Sequence, residues 1–155
     1  MYITRSLEKA FLQANAYYPV LALCGQRQVG KSTMLNHIKT EDKRYVTLDD
    51  RNALQLALND PELFFETYGI NIIIDEFQRA PDILIEIKRI TDKAALEGKN
   101  VNGNFWLTGS QKFLMMKGLS ESLAGRVGIF TLSSLFINTL IQICIFLFHK
   151  TRLLL

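Results

Sequence analysis

The stretch GQRQVGKST, residues 25–33, constrains this chain more than any other, because it follows directly on the apolar run PVLALC. A short buried strand here gives way to a loop with glycine at 25 and 30, lysine at 31 and hydroxyls at 32 and 33. The pattern is G-x-x-x-x-G-K-[ST], matched without a deviation. Gly25 and Gly30 permit backbone angles that a side chain would obstruct, so the N–H groups around Gln26, Arg27, Gln28 and Val29 can turn inward about an anion. KSTMLNHIK then reads as a helix, whose positive dipole end near Lys31 points at the same anion. Lys31 offers a compact cation to the outer phosphates, Ser32 a hydroxyl for Mg2+, and Thr33 a further phosphate donor. The loop is predicted to bind nucleotide phosphate.

The rest of the chain alternates short β-rich runs with amphipathic stretches. SLEKAFLQANA places Leu7, Phe11 and Ala14 on one helical face. RYVTLD reads as a second strand. Asp50 can cap a helix through NALQLAL, and Asp60 with Pro61 can open another that Gly69 closes. INIIID is apolar throughout, as a strand covered on both faces should be. A longer helix starts near Pro81, with Ile83, Leu84, Ile87 and Ile90 as its inward stripe and Gly98 at its end. NFWLTG is a fourth strand, SQKFLMMKG and SESLAG are helical pieces, and RVGIFTL is a candidate fifth strand. Strands separated by helices predict an α/β fold with a parallel sheet and right-handed crossovers.

IIIDEFQRAPD supplies the partner of the glycine loop. An apolar strand ending in Asp75 and Glu76 looks like the Walker B element of P-loop NTPases, with Asp75 holding Mg2+ and Glu76 orienting or deprotonating the attacking water. Parallel sheets bind ligands beyond the carboxyl ends of their strands, so both signals fall on one edge. Thr108, Ser110 and Gln111, at the end of NFWLTGSQ, are candidates for contact with the γ-phosphate or the water; capping hydroxyls of an ordinary turn are the equal alternative. Arg126 in ESLAGRV is placed to reach a phosphate of its own site or a neighbour's, or else to lie on the surface. Asp49 and Asp50 end the second strand near the expected magnesium shell, with helix capping the better account of Asp50. His37, His149, Phe113, Met115 and Met116 read as packed or solvated groups. No N-K-x-D stretch of the kind that reads guanine in GTPases is present, so ATP is favoured over GTP.

Composition narrows the remaining choices. At 155 residues the chain is one domain's worth. Its net charge of +3 gives no specific signal for nucleic acid. Cys24 and Cys144 have no CxxC neighbour or histidine at metal-ligand spacing, as expected of thiols in a reducing cytosol. MYITRSLEKAF is charged where a secretory signal needs an apolar core, so a cytoplasmic location is expected.

Taken together, YYPVLALCGQRQVGKSTML, YVTLDD, DPELFFE, IIIDEFQRAPDILIEIKRI and WLTGSQKFLMMKGLSESLAGRV resemble the bacterial and archaeal AAA-type ATPases usually labelled only as ATP-binding proteins. The likeness covers about residues 5–132. It implies a three-layer P-loop NTPase core with strand order 5-1-4-3-2, Mg2+-dependent hydrolysis of ATP to ADP, a sensor role for LTGSQ and action of Arg126 on nucleotide. In that family a large C-terminal domain follows the core.

The sequence changes style after RVGIFTLSSL. The twenty residues from Ile129 to Phe148 carry no charge, and the proline-containing polar stretch expected from the family is missing. The division expected is therefore an ATP-binding core over 1–132 and a hydrophobic tail over 133–155. Three readings of the tail compete: a membrane anchor, diluted by Thr131, Ser133, Ser134, Asn138, Thr139 and Gln142; a strand and helix packed on the core; and, preferred, out-of-frame translation beginning near residue 133. Any of them predicts poor solubility or self-association. ATP and ADP are the only partners the residues name, and a nucleotide-binding module without efficient hydrolysis is the rival to an ATPase.

Overall fold

The computed structural model describes residues 2–110, 119 and 122–134. Gln111, Phe113, Met115 and Met116, most of the helical pieces expected over 110–118 and 120–125, and residues 135–155 with Cys144, His149, Lys150 and Arg152 lie outside the described residues.

Five strands form one sheet: β1 (Val20–Cys24), β2 (Arg44–Thr47), β3 (Ile72–Asp75), β4 (Phe105–Gly109) and β5 (Val127–Thr131). The order across the sheet is β2-β3-β4-β1-β5, and every neighbouring pair is parallel. This is the order the family resemblance implied. Parallel pairing puts the carboxyl ends of all five strands on one edge, with Asp75 level with Thr108 and Cys24 level with Gly109 in the register.

Helices cover both faces because each central strand is apolar on both. Val20, Ala22 and Cys24 join Ile72, Ile74, Phe105 and Leu107 on one face. Against them lie Ala53 and Ala57 of α3 (Arg51–Asn59), Phe64 and Phe65 of α4 (Pro61–Tyr68), and Ile83, Leu84 and Ile87 of α5 (Ile83–Leu96). The alternate residues Leu21, Leu23, Ile73 and Trp106 face the other way. They pack on Phe11 of α1 (Leu7–Ala14) and on Met34 and Leu35 of α2 (Lys31–Ile38). The result is a three-layer α/β/α sandwich.

Local chemistry sets the helix ends as expected. The Asp50 carboxylate accepts from the Ala53 N–H at 2.9 Å, and Asp60 accepts from the Leu63 N–H at 2.9 Å with Pro61 at the first helical position. The long helix begins two residues after Pro81 because Phe77–Arg79 forms a 3-10 turn ahead of it. At the amino edge of the sheet, Lys43 is 3% exposed; its Nζ donates to the Gly103 and Asn104 carbonyls and lies 4.7 Å from the centre of the Trp106 ring. That contact ties the start of β2 to the start of β4. No helix among the described residues is long and apolar enough to cross a membrane.

Candidate nucleotide-binding site

At the carboxyl edge the chain leaves β1, loops through residues 25–30 and enters α2. A cavity of about 790 Å3 opens there, lined by Arg27, Gln28, Gly30, Lys31, Ser32, Thr33, Asp49, Glu76, Gln78 and Arg79. The volume is in the range of sites that hold a small molecule. Gly30 adopts a left-handed φ of 91°, as does Gln28 at 62°, so the loop takes the left-handed backbone at more than its glycine positions. Gly25 is needed for a different reason: a Cβ there would lie 2.4 Å from the Leu132 carbonyl oxygen at the end of β5. Val29 packs towards the α1/α2 face, and its carbonyl accepts from the Arg5 guanidinium at 3.0 Å.

Lys31 is buried, and its Nζ donates to the Gly25 and Gln26 carbonyls at 3.0 and 2.8 Å. Burial pushes its ammonium below the ordinary value, while Glu76 and Asp75 pull in the other direction. The lysine is therefore held in the loop, beside two carboxylates.

Ser32 and Asp75 stand far apart in the sequence and meet here, Ser32 Oγ donating to Asp75 Oδ2 at 2.9 Å. The contact exists because Ser32 sits in the first turn of α2 and Asp75 is the last residue of β3. A hydroxyl and a carboxylate beside the glycine loop suit Mg2+, which takes a few hard protein oxygens and completes its shell with phosphate and water. Among the described residues no group of three or more His, Cys, Asp or Glu side chains offers an all-protein metal cage.

Glu76 lines the cavity from a left-handed φ of 54°, an unusual conformation for this residue type. Its Oε2 accepts from the Gln78 side-chain amide and from Ser110 Oγ at 3.4 Å. Thr108 pairs with Asp75 in the β3–β4 register, and its hydroxyl is fully buried with no hydrogen-bond partner among the described residues. Asp49 lies on the cavity wall, joined at 2.6 Å to Arg79, whereas Asp50 is occupied as a helix cap. His37 stacks on Tyr2 with ring centres 3.8 Å apart, a packed role.

Arg126 is not among the residues that converge. It precedes β5 and so stands at the amino edge of the sheet, where its guanidinium meets Asp92 of α5 at 2.5 Å. The arginines that do line the cavity are Arg27 and Arg79. The motifs do not single out Arg79, Gln78 or Tyr45: Gln78 and Arg79 lie two and three residues beyond Glu76, in the 3-10 turn, and Tyr45 is visible only once β2 is laid beside β3.

The family model described as AAA domain matches residues 17–140 of this chain. Two curated relatives, the uncharacterized proteins Rv2008c of Mycobacterium tuberculosis and Mb2031c of Mycobacterium bovis, are each 34% identical over 118 residues, 76% of this chain. The chain spans about a quarter of their length, 25% in each case. Among solved structures, the Walker-type ATPase PABY2304 of Pyrococcus abyssi matches with a TM-score of 0.60 at 16% identity, over 97% of this chain and 59% of that one. At that identity the likeness speaks to the fold. With the family model covering most of the chain and the phosphate loop, lysine and acidic strand end gathered at one edge, this chain belongs to the AAA domain family of nucleotide-binding, ATPase-like proteins.

Proposed function

We propose that residues 1–132 form a core that binds ATP with Mg2+ and hydrolyses it to ADP and phosphate. The observation that carries this reading is the Ser32–Asp75 contact at 2.9 Å beside Lys31. It joins the phosphate loop to the acidic strand end in the arrangement phosphoryl transfer needs. The amides of residues 26–30 and the dipole of α2 bind the phosphate chain, and Lys31 neutralises its outer charge. Ser32 and Asp75 would hold Mg2+, which when bound offsets charge on the β- and γ-phosphates. Glu76 accepts the proton of the attacking water, held for that task by Gln78 and Ser110. Arg27 and Arg79, both on the cavity wall, are further cations within reach of the phosphates, Arg79 once it leaves Asp49.

Turnover of ATP by the full chain, by Lys31→Ala and by Glu76→Gln tests the assignment. Lys31→Ala is expected to lose nucleotide affinity at least tenfold. Glu76→Gln is expected to retain ATP while losing hydrolysis by about 100-fold or more. Equal rates in all three would remove the catalytic reading. A binding module with little turnover is supported by the distance of Arg126 from the cavity; bound ATP without hydrolysis, unchanged by raising the protein concentration, would select it.

A further inference from the structure

Tyr45 is an unassigned member of the site. It sits on β2 opposite Ile73, and its side chain lies on the α1/α2 face of the sheet with Ile73 and Trp106. Residues two apart on a strand share a face, so Asp75 follows Ile73 towards the same side. From there the Tyr45 hydroxyl donates to Asp75 Oδ2 at 2.5 Å, the oxygen that also accepts from Ser32. The other oxygen, Oδ1, accepts from the Glu76 N–H at 3.1 Å. Two side-chain donors from β2 and α2 and the next backbone N–H thus fix the plane of one buried carboxylate.

Packing alone does not explain a tyrosine here. A phenylalanine would fill the same half-buried position, whereas a phenol taken from water is costly unless it is paired. Here the pairing is charge-assisted and therefore short. We infer that Tyr45 is a positioning residue for magnesium: its hydroxyl fixes the orientation of the Asp75 carboxylate that would hold the cation. Magnesium demands near-ideal octahedral geometry, so a carboxylate free to rotate would serve it poorly. Groups that orient metal ligands are commonly worth about tenfold or more in metal affinity. The inference rests on the reading of this cavity as a magnesium–nucleotide site.

Its test is calorimetric titration of ATP into the full chain, once with excess Mg2+ and once with EDTA. The ratio of the two affinities measures what magnesium adds. In Tyr45→Phe that ratio is expected to fall by about tenfold, with the EDTA affinity unchanged as the control for an intact phosphate loop. Tyr45→Met fills the same space without a hydroxyl and is expected to behave alike, which covers loss of fold in either variant. An unchanged or larger ratio in both variants, beside a wild type that responds to magnesium, overturns the role of Tyr45 alone. A wild type that binds ATP equally with and without magnesium sinks the magnesium site, and Tyr45's part with it.

Discussion

Lys43 shows what a single residue can impose on this molecule. Burial pushes its ammonium from the ordinary 10.5 down to about 8, with Asp42 opposing the shift. Between those values the unfolded chain keeps a proton that the folded chain has released, so stability rises with pH through that window. Below about pH 8 both states carry the charge and the cost of burying it is present in full. Tyr2 and Tyr45 act oppositely: their hydroxyls are raised above the ordinary 10.0, mainly by burial and then by carboxylate partners, so their effect begins above pH 10. Denaturant unfolding followed from pH 8 to 10 is expected to show stability climbing by no more than about 1.4 kcal/mol per pH unit, and Lys43→Met to flatten the slope. A wild-type curve that is flat or falling there contradicts the buried-ammonium account. At this scale the meeting of Lys31, Ser32, Asp75 and Glu76 at one edge was legible in the sequence, because the glycine-loop pattern and an apolar strand ending in Asp-Glu are local signals. Tyr45 and Arg79 were not assigned, because a tyrosine within RYVTLD and an arginine after DEFQ have ordinary surface readings until the strands are set in register.

The elements were legible for simpler reasons. Caps at Asp50 and Asp60 and the all-apolar β1 and β3 are local patterns, and local patterns survive folding. The junction of the phosphate loop with β5 was hidden, since it depends on two segments remote in the chain. The Leu132 N–H donates to the Cys24 carbonyl at 2.8 Å, and the Leu132 carbonyl occupies the space beside Gly25. Gly25→Ala therefore forces backbone against a methyl group, and neither can rotate away. Thermal or denaturant unfolding is expected to show a loss of about 1–3 kcal/mol, together with weakened nucleotide binding. A variant as stable as the wild type would mean that β5 separates from the loop at little cost.

For the molecule as a whole, the decisive fact is that a parallel sheet has two unlike edges. The strand ends gather the cavity at one, while Arg126 and Lys43 stand at the other. The five residues of β5 separate Arg126 from the loop-bearing edge by about 15 Å. Motif reading brought Arg126 to nucleotide because sequence order carries no sense of which edge a residue will occupy. Paired with Asp92 and partly exposed, it contributes the modest energy of a surface ion pair within its own molecule. Arg126→Ala is expected to cost at most about 1 kcal/mol of stability and to leave ATP affinity in dilute solution within about twofold. A tenfold loss of affinity there would require Arg126 to reach its own cavity after all. Any effect on turnover that grows with protein concentration would instead place it at a neighbour's site.

The seam between Leu132 and the root of the glycine loop has a mechanical meaning. Tension on the chain leaving β5 would reach the root of the glycine loop at the end of the β1–β5 ladder, where Leu132 bonds to Cys24 and its carbonyl packs beside Gly25. With nucleotide seated in that loop as proposed, a pull at Leu132 would move the floor beneath it, and a bound nucleotide would resist the pull in turn.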